Sequence, residues 1–529
     1  MKNVLIVGSG ISGTSAALQL AERGIKSCMV DVGFMPPTET PVKKNLYEFC
    51  AENDCFELII GSNFEGLRNL DREQKTVPAK LTAPRLSFVT ERSQELSPAR
   101  ETNFSLVQSF AQGGLANAWG AGVMRFTSRD LDGFPLKAHE LTPYYDRLTE
   151  EMGISGENDD LTPYFGQDHL LQRPLRLSEN ASALYRKYLE KKEKLNRKGI
   201  FIGRPRLAVL TEETEGRMAC EYNNLEFWQP HLPYLYYPSL TLEKLIHKGD
   251  VEYRNGLLAR SFYRRNRTII VEATSVNDKK RISFECKKLV LAAGAVGNAK
   301  LALASRKDYK SKLTLLDNKA IQFPFLLPGR IGKKLEKRSF GLTQLSFVYD
   351  PFPAQDYFQG SILDLTSPAR AEFYSSFPLA AADNIRMIKY LLPAMMVLQL
   401  YLPATAETGA SLSLNRDGEL EIMGKNNEVD KKFIREIIKI IRKLGALTFA
   451  FLVVRISNGL GIHYAGTLPM VENPKNTFQC NRFGELYGEP GVYVVDGSVF
   501  PKLSAKNFSF AVMANAMRIA DHVAQRLTG

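Results

Sequence analysis

Apolar positions fall in blocks at both ends of the chain and alternate with polar ones through its middle. Val4-Leu5-Ile6-Val7 is an unbroken apolar run that enters Gly8-Ser9-Gly10-Ile11-Ser12-Gly13. Thr14 to Ala21 then reads as a helix, and Ser27-Cys28-Met29-Val30 as a second buried strand ending at Asp31. Val251–Arg254 and Thr268–Glu272 alternate as strands, and Leu289–Ala293 is a buried strand leading into a helix. Near the end, Gly491 to Val495 is a strand that runs into Asp496 and Gly497, and Asn507 to Ala520 forms a closing apolar helix. Between these blocks, Leu342–Phe347 alternates, and Ser411–Leu414 passes through Asn415-Arg416-Asp417-Gly418 into Glu419–Ile422 as a hairpin. The pattern predicts an α/β chain, α+β overall. A Rossmann-like domain assembled from separated stretches carries an antiparallel-sheet domain with helices on one side.

The order of the first elements points to a dinucleotide. A tight glycine turn lets backbone approach a pyrophosphate, the helix N-terminus offers free N–H groups, and an acid closing the second strand binds a ribose hydroxyl. Gly8, Gly10, Ser12, Gly13 and Asp31 occupy those places. A glycine turn that merely lets helix and sheet pack closely is the bland alternative.

A chain of 529 residues exceeds one core, so at least two domains are expected. Its net charge of +12 invites an acidic partner, yet the basic residues are scattered. The densest run, Arg186 to Lys198, is broken by Glu190 and Glu193 and reads as one solvated helix, so no nucleic acid is expected. The six cysteines form no CxxC pair, which argues against a zinc site or a disulfide framework. The first strand begins too early for a secretory leader, and a cytoplasmic location follows. Tyr390 to Pro403 and Leu444 to Val454 are apolar but far short of the roughly 20 residues of a membrane span. They read as core elements, with a peripheral membrane contact near 378–403 as the minor alternative.

Three segments together with the N-terminal turn resemble the glucose–methanol–choline (GMC) family of FAD-dependent alcohol oxidoreductases. They are Gly461-Ile462-His463-Tyr464-Ala465-Gly466-Thr467, the strand into Asp496-Gly497, and the helix after Asn507-Phe508. Gly113 to Gly122 resembles the family's flavin-edge loop, and Leu289 to Leu301 its second signature without the usual proline. The resemblance implies FAD as cofactor, bound by residues 1–330 and 456–529, with a substrate domain at 331–455. Cofactor contacts are implied at Gly8, Gly10, Ser12, Gly13, Asp31, Gly113, Gly114, Asn117, Gly120, Leu258, Ala293, Gly294, Asp496, Gly497, Asn507 and Phe508.

Oxidising an alcohol requires a proton acceptor that is largely unprotonated near neutral pH, a task suited to histidine. Of six histidines only His463 stands in the family's His-x-x-Gly-Thr context, which makes it the implied catalytic base. Asn507 is the implied partner that orients the substrate oxygen at the head of the last helix, with Phe508 where the family usually has proline. Family members that bind FAD covalently use a histidine where this chain has Ala118, so non-covalent FAD is expected. Trp119 follows as in the family's sugar-oxidising members, which favours a sugar or polyol as small-molecule substrate. A bulky apolar alcohol and a redox-silent lyase of the same fold are the rival readings, and the electron acceptor is left open.

Overall fold

Val4, Leu5 and Ile6 have no exposed surface, because the Lys2–Val7 strand is central in a sheet covered on both faces. The computed structural model describes residues 1–528 apart from 39, 71–75, 215, 366–379 and 427–428. In the first sheet the strands lie in the order Val251–Arg254, Ser27–Val30, Lys2–Val7, Arg281–Leu291, Thr268–Ser275 and Leu257–Arg265. Val492–Val494 joins parallel to Arg281–Leu291, so the two ends of the chain meet in one sheet. The Ile11–Glu22 helix packs against the last helix, Ser509–Thr528. Gly13 lets the first helix sit close against the turn and the end of the Arg281–Leu291 strand: a Cβ there would stand 2.0 Å from the Gly8 carbonyl oxygen and 3.2 Å from Ala292 Cβ.

A second, six-stranded antiparallel sheet runs Val454–Arg455, Ala320–Leu326, Met395–Tyr401, Phe358–Asp364, Thr343–Tyr349 and Ile200–Gly203. One face buries Phe323, Phe347, Leu398 and Leu400 against Ile437 and Ile441 of the Lys431–Lys443 helix. Gln322, Gln399 and Tyr401 look the other way, into a cavity. A third, four-stranded sheet pairs Ala99–Thr102, Leu420–Met423, Ala410–Leu414 and Leu313–Leu315.

Several expectations are corrected. The Ser411–Ile422 hairpin does form, but in the third sheet, where Leu412, Leu414 and Leu420 share the core of the first sheet. The six-stranded sheet takes Ile200–Gly203 and Ala320–Leu326 from ahead of residue 331, so a boundary there cuts across its strands. Arg186 to Lys198 spans two helices, Glu179–Leu189 and Lys192–Asn196. The Tyr390–Pro403 segment ends one helix and supplies the Met395–Tyr401 strand, while its proposed contact region at 378–379 lies outside the described residues. Leu444 to Val454 is only half a core element: Leu447, Phe449, Phe451 and Val454 are exposed, because this stretch wraps the edge of the sheet. Cys50 and Cys55 form a disulfide across a short loop; spacing alone did not reveal it because the pair is neither a CxxC nor part of a framework. No helix among the described residues is long and apolar enough to cross a membrane.

Candidate active site

A cavity of about 1380 Å³ extends from the glycine turn to the six-stranded sheet. That is beyond the roughly 300–1,000 Å³ of ordinary small-molecule pockets, so it has room for a large cofactor and a substrate together. At the glycine turn, Gly8 sits at φ +101°, and a Cβ there would lie 2.5 Å from the Ala292 carbonyl oxygen. Only glycine fits. Gly10 has open space where a Cβ would be, and no side chain caps the helix that follows. The unpaired N–H groups of that helix therefore meet the cavity with the positive end of its dipole.

Asp31 lines the same end. Its carboxylate accepts from Ser9 Oγ, from the Val32 N–H at 2.8 Å and from Tyr253 OH at 3.4 Å. Burial pushes its pKa up to about 6, against these bonds. Lys300 and Arg260 line the cavity as well; Lys300 Nζ donates to Ser97 Oγ at 3.1 Å, and burial lowers its pKa to about 8. Open glycine turn, buried acid and cationic wall together suit an anionic dinucleotide such as FAD.

Most of the expected cofactor residues line the cavity: Gly8, Gly10, Ser12, Asp31, Gly113, Gly114, Gly120, Leu258, Ala293, Gly294, Asp496, Gly497, Asn507 and Phe508. Two do not. Gly13 is spent on the close contact between its helix and the Gly8 turn, as above. Asn117 turns its amide inward, donating to the Gln112 and Gly114 carbonyls at 2.8 Å each and receiving His231 Nε2 at 3.1 Å. It holds the loop from behind. Asp496 uses both carboxylate oxygens on protein, accepting from the Gly294 N–H and Asn298 Nδ2 at 2.7 Å and from the Ser498 N–H at 2.9 Å. Trp119 is at once a core aromatic, with Nε1 donating to the Tyr236 carbonyl at 3.1 Å, and a cavity wall. Lys80, unremarkable in the sequence, is buried beside it and donates to the Trp119 carbonyl at 2.9 Å.

His463 and Asn507 meet at the other end. Burial holds the imidazole pKa down, to about 4, against a hydrogen bond with Asn507. Its ring stacks on Tyr401 at 4.8 Å and meets the Phe508 ring edge-on at 5.4 Å. Asn507 is not the cap of the last helix, which begins at Ser509; its amide rests on Gly122, where a Cβ would come within 2.4 Å of Nδ2. The preceding residue, Lys506, is fully buried and pairs with Asp130 at 2.6 Å, which anchors this segment.

Asn318 and Asp317 are the residues that sequence reasoning missed. Asn318 Nδ2 donates to the Leu402 and Ser504 carbonyls at 2.7 and 3.1 Å. Its Oδ1 therefore faces His463 Nδ1, at 3.0 Å. An amide oxygen only accepts, so Nδ1 must carry the ring proton and Nε2 is left with its lone pair. Asp317 accepts the backbone N–H groups of Gly459 at 2.8 Å and His463 at 3.1 Å. These bonds hold Ile462 at φ +57°, an unfavourable region for a β-branched residue. No motif marks either position; the signal is only that Asp317-Asn318 lies just ahead of the Ala320–Leu326 strand.

Residues 451–516 match the family model for GMC oxidoreductases (their C-terminal domain). A search of curated proteins finds no match by sequence. Among solved structures, pyridoxine 4-oxidase from Mesorbium loti superposes with a TM-score of 0.60 at 14% identity, covering 99% of each chain. A formate oxidase variant from Aspergillus oryzae RIB40 superposes with a TM-score of 0.63 at 14% identity, covering 99% of this chain and 98% of that one.

Proposed function

Since the chain belongs to the GMC oxidoreductases and is an FAD-dependent oxidoreductase, we propose that it oxidises an alcohol to an aldehyde or ketone with His463 as base. The observation that carries this reading is the tautomer enforced by Asn318, which leaves Nε2 of a neutral imidazole free to take a proton. Asn507 serves as the donor that holds the carbinol oxygen while His463 removes its hydrogen. Bound FAD supplies the two-electron acceptor for the carbinol C–H bond. Asp317 and Asn318 keep the base in place, and Tyr401 and Phe508 shield it from water. Ala118 lines the cavity without a nucleophilic atom, which supports FAD held without a covalent bond.

A sugar or polyol as substrate has its support in Gln322, Gln399 and Tyr401, which the sheet presents above the base. The bulky apolar alternative has its own support in Val397 and Leu363 on the same face. Cytoplasmic placement fits the four free, buried cysteines, whereas a cytosolic thiol pool would tend to reduce the Cys50–Cys55 bridge. A peripheral membrane contact would use Tyr390 and Phe451, 67% and 79% exposed; no retention on anionic vesicles would remove it.

The test is anaerobic addition of sugars, polyols, sterols and simple alcohols to the yellow protein. Loss of the oxidised flavin absorbance is expected with at least one class, and release of all FAD on acid precipitation. Consumption of substrate without bleaching would instead identify a lyase.

A further inference from the structure

The substrate face of the six-stranded sheet changes character with distance from His463. Side chains on one face recur every second residue, roughly 7 Å apart along a strand, so neighbouring strands present them in rows. Nearest the base is Tyr401, paired with Ala320 and stacked on the imidazole. The next row is polar across three strands: Gln322 pairs with Gln399, and Gln399 with Ser361. Gln322 Nε2 donates to Gln399 Oε1 at 3.1 Å, and Gln399 Nε2 donates to the Tyr401 hydroxyl oxygen. The third row is apolar: Pro324 pairs with Val397, and Val397 with Leu363. All of these side chains line the cavity. Among the described residues, charge meets this wall only at its margins, in Arg455 on the edge strand and in Asp364, whose carboxylate accepts from Asn180 Nδ2 at 3.0 Å.

The direction of the amide chain matters. Because Tyr401 accepts from Gln399, its own O–H remains a donor beside the base. Burial keeps the phenol protonated, with its pKa pushed up to about 12. The row next to His463 is thus built to meet an acceptor oxygen, and the row two steps away to meet hydrocarbon.

We propose, resting on the alcohol-oxidation reading above, that the substrate is a neutral amphiphilic alcohol. It carries a second hydrogen-bonding oxygen a few bonds from the carbinol and an apolar segment beyond that. A bare alkanol would leave the glutamine row facing hydrocarbon, and a small polyol would leave Val397 and Leu363 uncovered. Both mismatches cost affinity.

Decane-1,4-diol, 1-decanol and butane-1,4-diol separate the alternatives. Binding is read from perturbation of the oxidised FAD spectrum of the holoenzyme, and chemistry from anaerobic bleaching. Decane-1,4-diol is expected to bind at least tenfold more tightly than either of the others. Gln399→Leu should erase about tenfold of its preference over 1-decanol, the usual worth of one hydrogen bond. Gln322→Leu should do the same more weakly, and Val397→Gln should narrow its preference over butane-1,4-diol. Equal or tighter binding of either partial mimic by the native enzyme overturns the proposal. So does an unchanged preference in both Gln399→Leu and Gln322→Leu. Tight binding of decane-1,4-diol without bleaching would retain the graded wall and refute alcohol oxidation instead.

Discussion

Gly8 and His463 stand at opposite ends of one cleft, and what surrounds each differs in kind. Around Gly8 the cleft is made of backbone: an uncapped helix end, a turn at φ +101° and carbonyls packed so closely that a methyl group has no room. Around His463 it is made of side chains carried in from distant strands, with Asn318, Tyr401 and Asn507 all touching one imidazole. The first end depends on what is absent from a position, the second on what is present there. Substitutions should therefore fail differently at the two ends, one by losing the cofactor and the other by losing the reaction.

The largest effect is expected from Gly8→Ala. A Cβ 2.5 Å from the Ala292 carbonyl oxygen pushes against the turn that follows the Arg281–Leu291 strand, and the protein should be purified with little or no FAD. A normal flavin-to-protein absorbance ratio would show that the turn is looser than its contacts imply.

His463→Ala should keep its FAD yet slow anaerobic flavin reduction by about 10²–10⁴-fold, the usual worth of a positioned base. The sign of the pH dependence follows from the base being needed unprotonated. With its pKa held near 4, reduction by the native enzyme should fall as the pH drops toward 4, while Asp317, whose pKa burial raises to about 7, is the group beside it that titrates between about 5 and 8. Absence of the limb near 4 would remove a buried His463 from the role.

Asp31→Ala belongs to the other end. It should weaken FAD retention by about 1.5–3 kcal/mol, measured by apoprotein titration, while molecules that keep their flavin react at an undiminished rate. Equal loss of both would dissolve the distinction between the two ends.

Asn318→Leu should give the smallest change, about tenfold slower reduction from an imidazole no longer held in one tautomer. Asn318→Asp tells positioning from mere packing. A carboxylate beside Nδ1 favours the protonated ring, so the acidic limb should move up by a unit or more while FAD content stays normal. An unmoved limb would leave Asn318 as a packing residue only.

The same contrast explains what could be read before the fold was known. The glycine turn, its helix and Asp31 lie within one local unit whose spacing carries its meaning, and His463 and Asn507 sit in recognisable local contexts. Asn318 lies 145 residues from His463 in sequence and reaches it only because a Leu316–Ala465 bridge brings the two loops together. Gln322 and Gln399 become neighbours through strand register, which alternation alone does not specify. Ile200–Gly203 was illegible as part of the six-stranded sheet for the same reason: four apolar and small residues say nothing about which distant edge they join. Asn117 shows the opposite limit: its place in the loop is local, but the direction of its amide, toward the Gln112 and Gly114 carbonyls, is set by the fold.

The buried Lys506–Asp130 pair has a consequence for the order in which the protein is made. It joins the residue beside Asn507 to a segment synthesised much earlier, and Val492–Val494 completes the first sheet only by docking next to Arg281–Leu291. During translation Gly8 to Ser12 emerge well before His463, Asn507 and the strand that leads into Asp496. A chain that stops short of residue 492 therefore lacks a strand of the first sheet and leaves Asp130 without its buried Lys506 partner.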